Sequence, residues 1–306
     1  MTSSPPSMRV AVTGASGLVG TAVVSFLSER GREIVRLVRR EPRSTASEVY
    51  WNPDSGEIDG PALEGIDAVV HLGGVGIAAG RWTARRKTAI LESRVASTRL
   101  LSNSLSEMNR PPHTIICASA IGYYGDRGDE LLNEESPPGA GFLADVCKAW
   151  EAATDPARQA GLRVVNLRIG MVLSRHGGAL KRMLPPFRMG LGGIVGSGRQ
   201  YLSWIALSDL VRAIDFLLTA DDSSGPVNAV APQPVTNREF TRTLGRVLRR
   251  PTPLPLPGFA VRLLFGEMGE ALLLAGSRVQ PARLTQAGFS FEHPSLEAAL
   301  NAELKQ

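Results

Sequence analysis

Cysteine is scarce: Cys117 and Cys147 are the two in 306 residues, and both fall within apolar or helical patterns. A disulfide framework is therefore not expected, and a reducing cytoplasm is. Four histidines, His71, His113, His176 and His293, are scattered without ligand spacing, so no metal site is expected. No apolar run reaches the ~18 residues of a membrane span, and residues 1–7 lack an apolar signal core. That opening stretch reads as a disordered tail. Aromatics make up only 6% of the chain, and none interleave with the tight basic cluster at 81–87. A single-strand nucleic-acid binder needs such stacking rings. The net charge of +5 and pI near 9.6 are better matched to a polyanionic cofactor or substrate than to nucleic acid. The expected partner is a small molecule bound by a monomer or homodimer.

Against these absences stands a glycine fingerprint. Thr13-Gly14-Ala15-Ser16-Gly17-Leu18-Val19-Gly20 follows the apolar run Val10-Ala11-Val12. A strand before it and a helix after it form the context in which a helix N-terminus approaches a pyrophosphate. Gly14 suits the tight turn, Gly17 leaves room for phosphates, and Gly20 lets the helix lie close on the sheet. Gly14, Ser16, Gly17, Leu18 and Val19 are the expected contacts. A merely tight strand-to-helix turn is the plainer alternative.

Strand-like runs at 9–13, 33–38, 68–72, 114–118 and 163–168 alternate with helical patterns at 18–30, 83–108 and 142–160. A polar turn divides the short segment 48–58. Alternation of this kind implies an α/β fold with a parallel sheet covered on both faces; with the glycine fingerprint ahead of it, the expected fold is a doubly wound sheet of the NAD(P)-binding Rossmann type. The nucleotide-binding domain is expected over 8–170, with a returning part near 205–218. A smaller substrate lobe takes 171–204 and 219–306. Its glycine-rich run to Gly198 reads as a flexible closing loop, and the proline-rich stretch 251–257 as a stiff connector packed on the body.

The chain resembles an extended-type but atypical member of the short-chain dehydrogenase/reductase superfamily. It is most similar to a sugar-nucleotide-epimerase-like branch that carries a C-terminal domain of unknown function, here from about 251. The resemblance spans 8–300. It rests on Asp67-Ala68-Val69-Val70-His71-Leu72-Gly73-Gly74, Trp82, Glu92-Ser93-Arg94-Val95-Ala96-Ser97-Thr98, Ala118-Ser119-Ala120-Ile121-Gly122-Tyr123-Tyr124-Gly125, Lys148-Ala149-Trp150-Glu151 and Ser203-Trp204-Ile205. Some bacterial relatives carry a cell-division label.

The second strand ends Leu37-Val38-Arg39-Arg40, without the acid that would hold a ribose 2′-hydroxyl. Arg39 and Arg40 instead suit a 2′-phosphate, so NADP is the expected cofactor. Solvated loop charges are the alternative. Leu72 and Gly73 end a strand at the sheet's carboxyl edge, where the missing side chain lets the backbone approach the adenine ribose. A structural turn would explain that glycine equally. By the resemblance, Arg94 faces the cofactor or makes a helix-surface ion pair, and Val172 passes near the nicotinamide.

The superfamily's chemistry uses a Tyr four residues before a Lys on one helix. Lys148 fits the lysine position and is expected to hold the nicotinamide ribose, but Ala144 stands where the tyrosine belongs. Ala206 replaces a histidine in a second family element. Ser119, expected to hold a substrate oxygen, and Tyr124, the expected proton donor, keep an enzyme in view. Packing is the alternative for both tyrosines, and solvation for Lys148. Two functions stand: an NADP-dependent oxidoreductase or epimerase with a non-standard proton donor, and an NADP-binding regulatory protein without turnover.

Overall fold

The computed structural model describes residues 7–220 and 222–304. Of the tail expected at 1–7, only Ser7 lies among them, its hydroxyl donating to the Gly31 carbonyl at 2.5 Å.

The chain begins with β1 (Arg9–Thr13), α1 (Leu18–Glu29), β2 (Glu33–Val38), β3 (Glu48–Asn52), β4 (Glu57–Ile58), β5 (Ala68–His71), α2 (Ala84–Ser106) and β6 (Thr114–Ala120). It continues through β7 (Leu131–Leu132), α3 (Phe142–Ala152), α4 (Asp155–Gln159), β8 (Arg163–Ile169), β9 (Met171–Leu173) and α5 (Gly178–Arg188). Next come β10 (Tyr201–Leu202), β11 (Trp204–Ala206), α6 (Leu207–Thr219), β12 (Gly225–Ala229), β13 (Val235–Thr236) and α7 (Asn237–Leu248). The last elements are α8 (Gly258–Gly269), β14 (Arg278–Val279), α9 (Ala282–Gln286) and α10 (Leu296–Leu304).

An eight-stranded sheet in the order β12-β8-β6-β5-β1-β2-β3-β4 forms the body. Its pairs are parallel except β3–β4. From β1 the chain winds outward first to β2 and then to β5, so the order reverses between β1 and β5. Ligands of such sheets bind in the crevice outside the carboxyl ends at that point. Register sets Thr13 beside His71, which brings the loops after β1 and β5 together there.

The strands are apolar on both faces because both are covered. Val10, Val12, Val70 and Ile116 point to α1 and α6, where they meet Val23, Leu27, Leu210 and Ile214. Ala11, Val35, Val69 and Ile115 point the other way, to Leu101 and Leu105 of α2 and Ala157 of α4. The helix expected over 142–160 is divided into α3 and α4. Pro156 opens the second piece and cannot donate back to the carbonyl four residues before it.

The lobe expected from 219 gives up its first strand: β12 pairs with β8 and extends the main sheet. Gly225-Pro226 obscured it, and the edge position is what tolerates that proline. The remaining lobe has its own core of Leu180, Leu184, Phe187, Trp204, Phe240 and Leu300, built on α5, α7 and α10. A capping box, Thr236 with Glu239, starts α7. The glycine run expected as a closing loop is hydrogen-bonded to the proline-rich stretch. Leu256 donates to the Ile194 carbonyl at 2.8 Å, and Gly196 donates to that of Leu256 at 2.9 Å.

Candidate functional site

The glycine loop is shaped by contacts that side chains would break. Gly14 turns with φ +64°, and a Cβ there would lie 2.8 Å from the Leu72 carbonyl oxygen. Gly20 packs α1 against the same turn: its Cβ would fall 2.1 Å from the Gly14 oxygen. The Gly17 amide donates to Gly14 at 2.9 Å, and that of Thr21 to Gly17 at 2.9 Å, which starts the helix. The first-turn amides at Leu18 and Val19 therefore have no carbonyl of their own helix to bond, and they open beside exposed Ser16 and Gly17. A strand's carboxyl end, a positive helix terminus and missing side chains converge, so the loop fits a diphosphate.

Beneath the loop lies His71, fully buried. The Leu72 amide donates to Thr13 Oγ1 at 3.1 Å, and the same hydroxyl shares a hydrogen bond with His71 Nδ1 at 2.7 Å. The other ring nitrogen, Nε2, is hydrogen-bonded to Thr98 Oγ1 at 3.0 Å. Burial pushes the His71 pKa down to about 4. The ring is a neutral brace between β1, β5 and α2. Sequence inspection saw only a histidine without metal spacing.

At the end of β2 the two arginines have different fates. Arg40 forks onto Glu48, with Nη2 and Nη1 at 2.6 and 2.9 Å from its two oxygens. Its guanidinium, with the Arg43 amide, holds the Glu48 carboxyl down to about 2. Arg39 is exposed and only 3.4 Å from exposed Asp54, a loose contact. Of the two arginines expected at a phosphate, Arg40 is thus held by Glu48 on the neighbouring strand, and Arg39 has only the loose contact.

The acid–base residues are placed one residue out of phase with expectation. On α3 the stripe Leu143, Cys147 and Glu151 faces the end of β6. A Cβ on Gly122 would meet Leu143 Cβ at 3.2 Å and Cys147 Sγ at 3.9 Å, and the Cys147 thiol donates to the Ala120 carbonyl at 3.5 Å. Lys148 lies outside that stripe, exposed and paired with Asp145 at 2.7 Å. Ala144 is fully buried. The ammonium expected at the nicotinamide ribose is therefore turned toward solvent.

Ser119 is 3% exposed and donates to Glu151 Oε1 at 2.7 Å. Tyr124 is 0% exposed: its hydroxyl donates to Asn228 Oδ1 at 2.8 Å and accepts from Arg168 Nη1 at 3.0 Å. Burial raises the phenol's pKa against the opposing pull of Arg168. A phenol so enclosed has no face for a substrate, and the donor role expected of Tyr124 does not fit this placement. Ser119 and Tyr124 are joined instead through Arg168. Its Nε and Nη2 grip Glu151 at 2.8 and 2.9 Å, and its guanidinium lies 3.4 Å from the Tyr123 ring centre. Burial lowers the pKa of Arg168, but the Glu151 carboxylate overrides that and raises it. Glu151 and Arg168 are the polar residues that sequence reasoning passed over. Their signal was an acid at the next turn after Cys147, opposite an arginine ending a buried strand.

Val172 is half-buried, pairs with Ile205 and packs on the core under α1. Leu72 and Gly73 stand beside the Gly14 turn, where a Cβ on Gly73 would meet the His71 ring at 3.4 Å. Arg94 lies across the Trp150 ring at 5.0 Å and against Gly74, whose Cβ would be 3.2 Å from its Cζ. It makes no ion pair among the described residues. Among the described residues there is no group of three potential metal ligands, and no helix is long and apolar enough to cross a membrane.

Residues 10–230 match the model of the NAD dependent epimerase/dehydratase family, and residues 256–303 match a domain of unknown function, DUF1731. Epimerase family protein Mb2239 of Mycobacterium bovis is 48% identical over 291 residues, covering 95% of this chain and 96% of that protein. The crystal structure of human epimerase family protein SDR39U1 (isoform2) with NADPH superposes with a TM-score of 0.89 at 34% identity, covering 98% of this chain and all of the other. A nucleoside-diphosphate sugar epimerase from Corynebacterium glutamicum gives a TM-score of 0.79 at 38% identity, over 98% of this chain and 58% of that one.

Proposed function

The chain belongs to the NAD dependent epimerase/dehydratase family, and from that premise we propose that it binds NADP(H) and passes hydride between the nicotinamide and a small-molecule substrate. The observation that carries this reading is the cradle at Gly14 and Gly20, where added Cβ atoms would collide with the backbone and first-turn amides lie open. Gly14, Ser16, Gly17, Leu18 and Val19 would hold the pyrophosphate, Arg39 the 2′-phosphate, and Leu72 with Gly73 the adenine ribose. Val172 would border the nicotinamide. A relative crystallised with NADPH supports the choice of cofactor. Bound there, the cofactor would supply hydride exchange at nicotinamide C4.

Proton transfer is where this chain departs from its superfamily. Neither Tyr124 nor Lys148 opens on the end of β6, so we assign the proton of the reaction to water. Calorimetry with NADPH and NADH tests the cofactor reading. NADPH should bind more than about tenfold tighter, a difference of ~1.4 kcal/mol, and Arg39→Ala should erase most of that margin. Equal affinities in the parent protein would end the claim.

One observation favours a second reading. Leu143 and Cys147 occupy the helix stripe facing β6; Leu143 has no proton to exchange, and burial raises the Cys147 thiol to about 11, so at neutral pH it offers no thiolate base. An NADP(H)-binding regulator needs no such group. Incubation with NADPH and a panel of carbonyl and nucleotide-sugar compounds, followed by product detection, separates the two. Turnover supports the enzyme; its absence, together with NADPH-dependent association with a protein partner, supports the regulator.

A further inference from the structure

A half-buried guanidinium that is held rigid while some of its N–H donors stay open to solvent is set to meet an anion from outside the protein. Arg94 is placed in this way. Its Nη1 donates to the Ile90 carbonyl at 3.0 Å and lies 3.5 Å from Ser93 Oγ, while Nε and Nη2 make no hydrogen bond among the described residues. No Asp or Glu among the described residues pairs with it. Partial burial lowers the Arg94 pKa, and Arg86 on the same helix adds a smaller repulsion in the same direction. Arg86 itself donates to the Gly76 carbonyl, and its buried Nε has no partner. The neighbouring Cys147 cannot serve as counter-ion, because burial and nearby Glu151 keep its thiol protonated.

The side chain is nevertheless held in place. Trp150, fixed by its own bond to Thr98 Oγ1 at 3.0 Å, supports the guanidinium plane from one side. Gly74 faces it without a side chain, and the Val75 amide is clipped to α2 through Ser93 Oγ at 3.3 Å. Two cations that repel each other are thus fixed beside the carboxyl edge, close to the β6 end, with no protein anion between them. An anionic group brought there by a ligand would meet both charges.

We propose that Arg94 recognises a compact oxyanion, carboxylate or phosphate, carried by the substrate; this rests on the hydride-transfer reading above. The planar fork suits either group, since both present paired oxygens at the spacing of two parallel N–H donors. The cofactor contact expected of Arg94 is thereby reassigned to the substrate.

The full chain, saturated with NADP⁺ so that the nucleotide's own phosphate sites are filled, is titrated by calorimetry with inorganic phosphate and separately with oxamate. Binding of phosphate alone identifies a phosphorylated substrate, and binding of oxamate alone a carboxylated one. Arg94→Gln should weaken the bound anion by about tenfold or more. Arg94→Lys keeps the charge but not the fork and should show a smaller loss, and it serves for the comparison if Arg94→Gln fails to fold. NADPH affinity should stay unchanged in both. No binding of either anion by the parent overturns the proposal. So does undiminished binding in the variants, or a parallel fall in NADPH affinity. Should the parent bind no NADPH, the cofactor reading fails on its own, and the same anion titration without nucleotide still reports on Arg94.

Discussion

Single side chains here are set by how thoroughly they are buried and by what they meet inside. His71 carries a direct consequence. Its folded pKa, about 4, lies below its ordinary value of 6.5. Below pH ~6.5 the unfolded chain takes up a proton that the folded one refuses. The stabilisation is therefore complete above pH ~6.5 and is lost as pH falls toward 4. At ~1.4 kcal/mol per unit the full loss is about 3 kcal/mol. Urea midpoints measured from pH 7.5 to 4.5 should decline accordingly, and His71→Gln should flatten the decline while lowering the plateau. An equally steep decline in the variant would remove His71 as its cause. Glu48, held down to about 2, contributes stability that is complete above its ordinary 4.5 and is lost progressively as pH falls from there through 2.

Among elements, the junction of β1 and α1 is the most demanding. Gly20→Ala puts a Cβ 2.1 Å from the Gly14 oxygen, so the turn must open and the first-turn amides must move. NADPH affinity should fall at least about tenfold, or ~1.4 kcal/mol. Gly60→Ala should leave it unchanged, because that residue is already right-handed helical with nothing within 4 Å. Equal affinity in the two variants would detach the cradle from the cofactor. This junction was legible in the amino-acid order, as were β1, β2, β5, β6 and β8, since buried parallel strands are apolar throughout and bounded by turns. The phase of α3 was not. Lys148 stands one residue beyond Cys147, a rotation of ~100° about the helix, and the chain offered no tyrosine to fix which face looks inward. The ion pair of Arg40 was hidden for another reason: its partner, Glu48, lies on the adjacent strand, and only pairing of β2 with β3 brings the two together. Tyr124 looked available because a loop tyrosine usually keeps its hydroxyl wet, whereas here β8 and β12 enclose it.

Across the whole molecule, the C-terminal segment is tied to the body at several separate points. Ser203 Oγ donates to the Ser277 carbonyl and accepts from the Val279 amide at 2.7 and 2.9 Å. Glu134 Oε1 accepts from the Asn228 and Arg283 amides at 3.0 and 3.2 Å. The tightest approach is at Gly193, where a Cβ would fall 1.6 Å from the Leu254 oxygen. Gly193→Ala must part the two segments there and, with them, the hydrogen bonds of Leu256. A loss of about 2 kcal/mol is expected in urea unfolding, together with faster proteolysis near residue 254. An unshifted midpoint would mean the two segments are not coupled. The outer edge of β12 has a consequence for how the protein is made. The Ser224 and Pro226 carbonyls are covered by Arg283 Nη1, at 2.7 and 3.0 Å. Arg283 emerges from the ribosome 57 residues after Pro226, and at about 5–20 residues per second that is a delay of roughly 3–11 s. For those seconds the nascent sheet ends in uncovered carbonyls, a surface on which another chain can pair. Synthesis halted before residue 283 leaves that edge open for good, so truncated products of this chain should aggregate where the full-length chain does not.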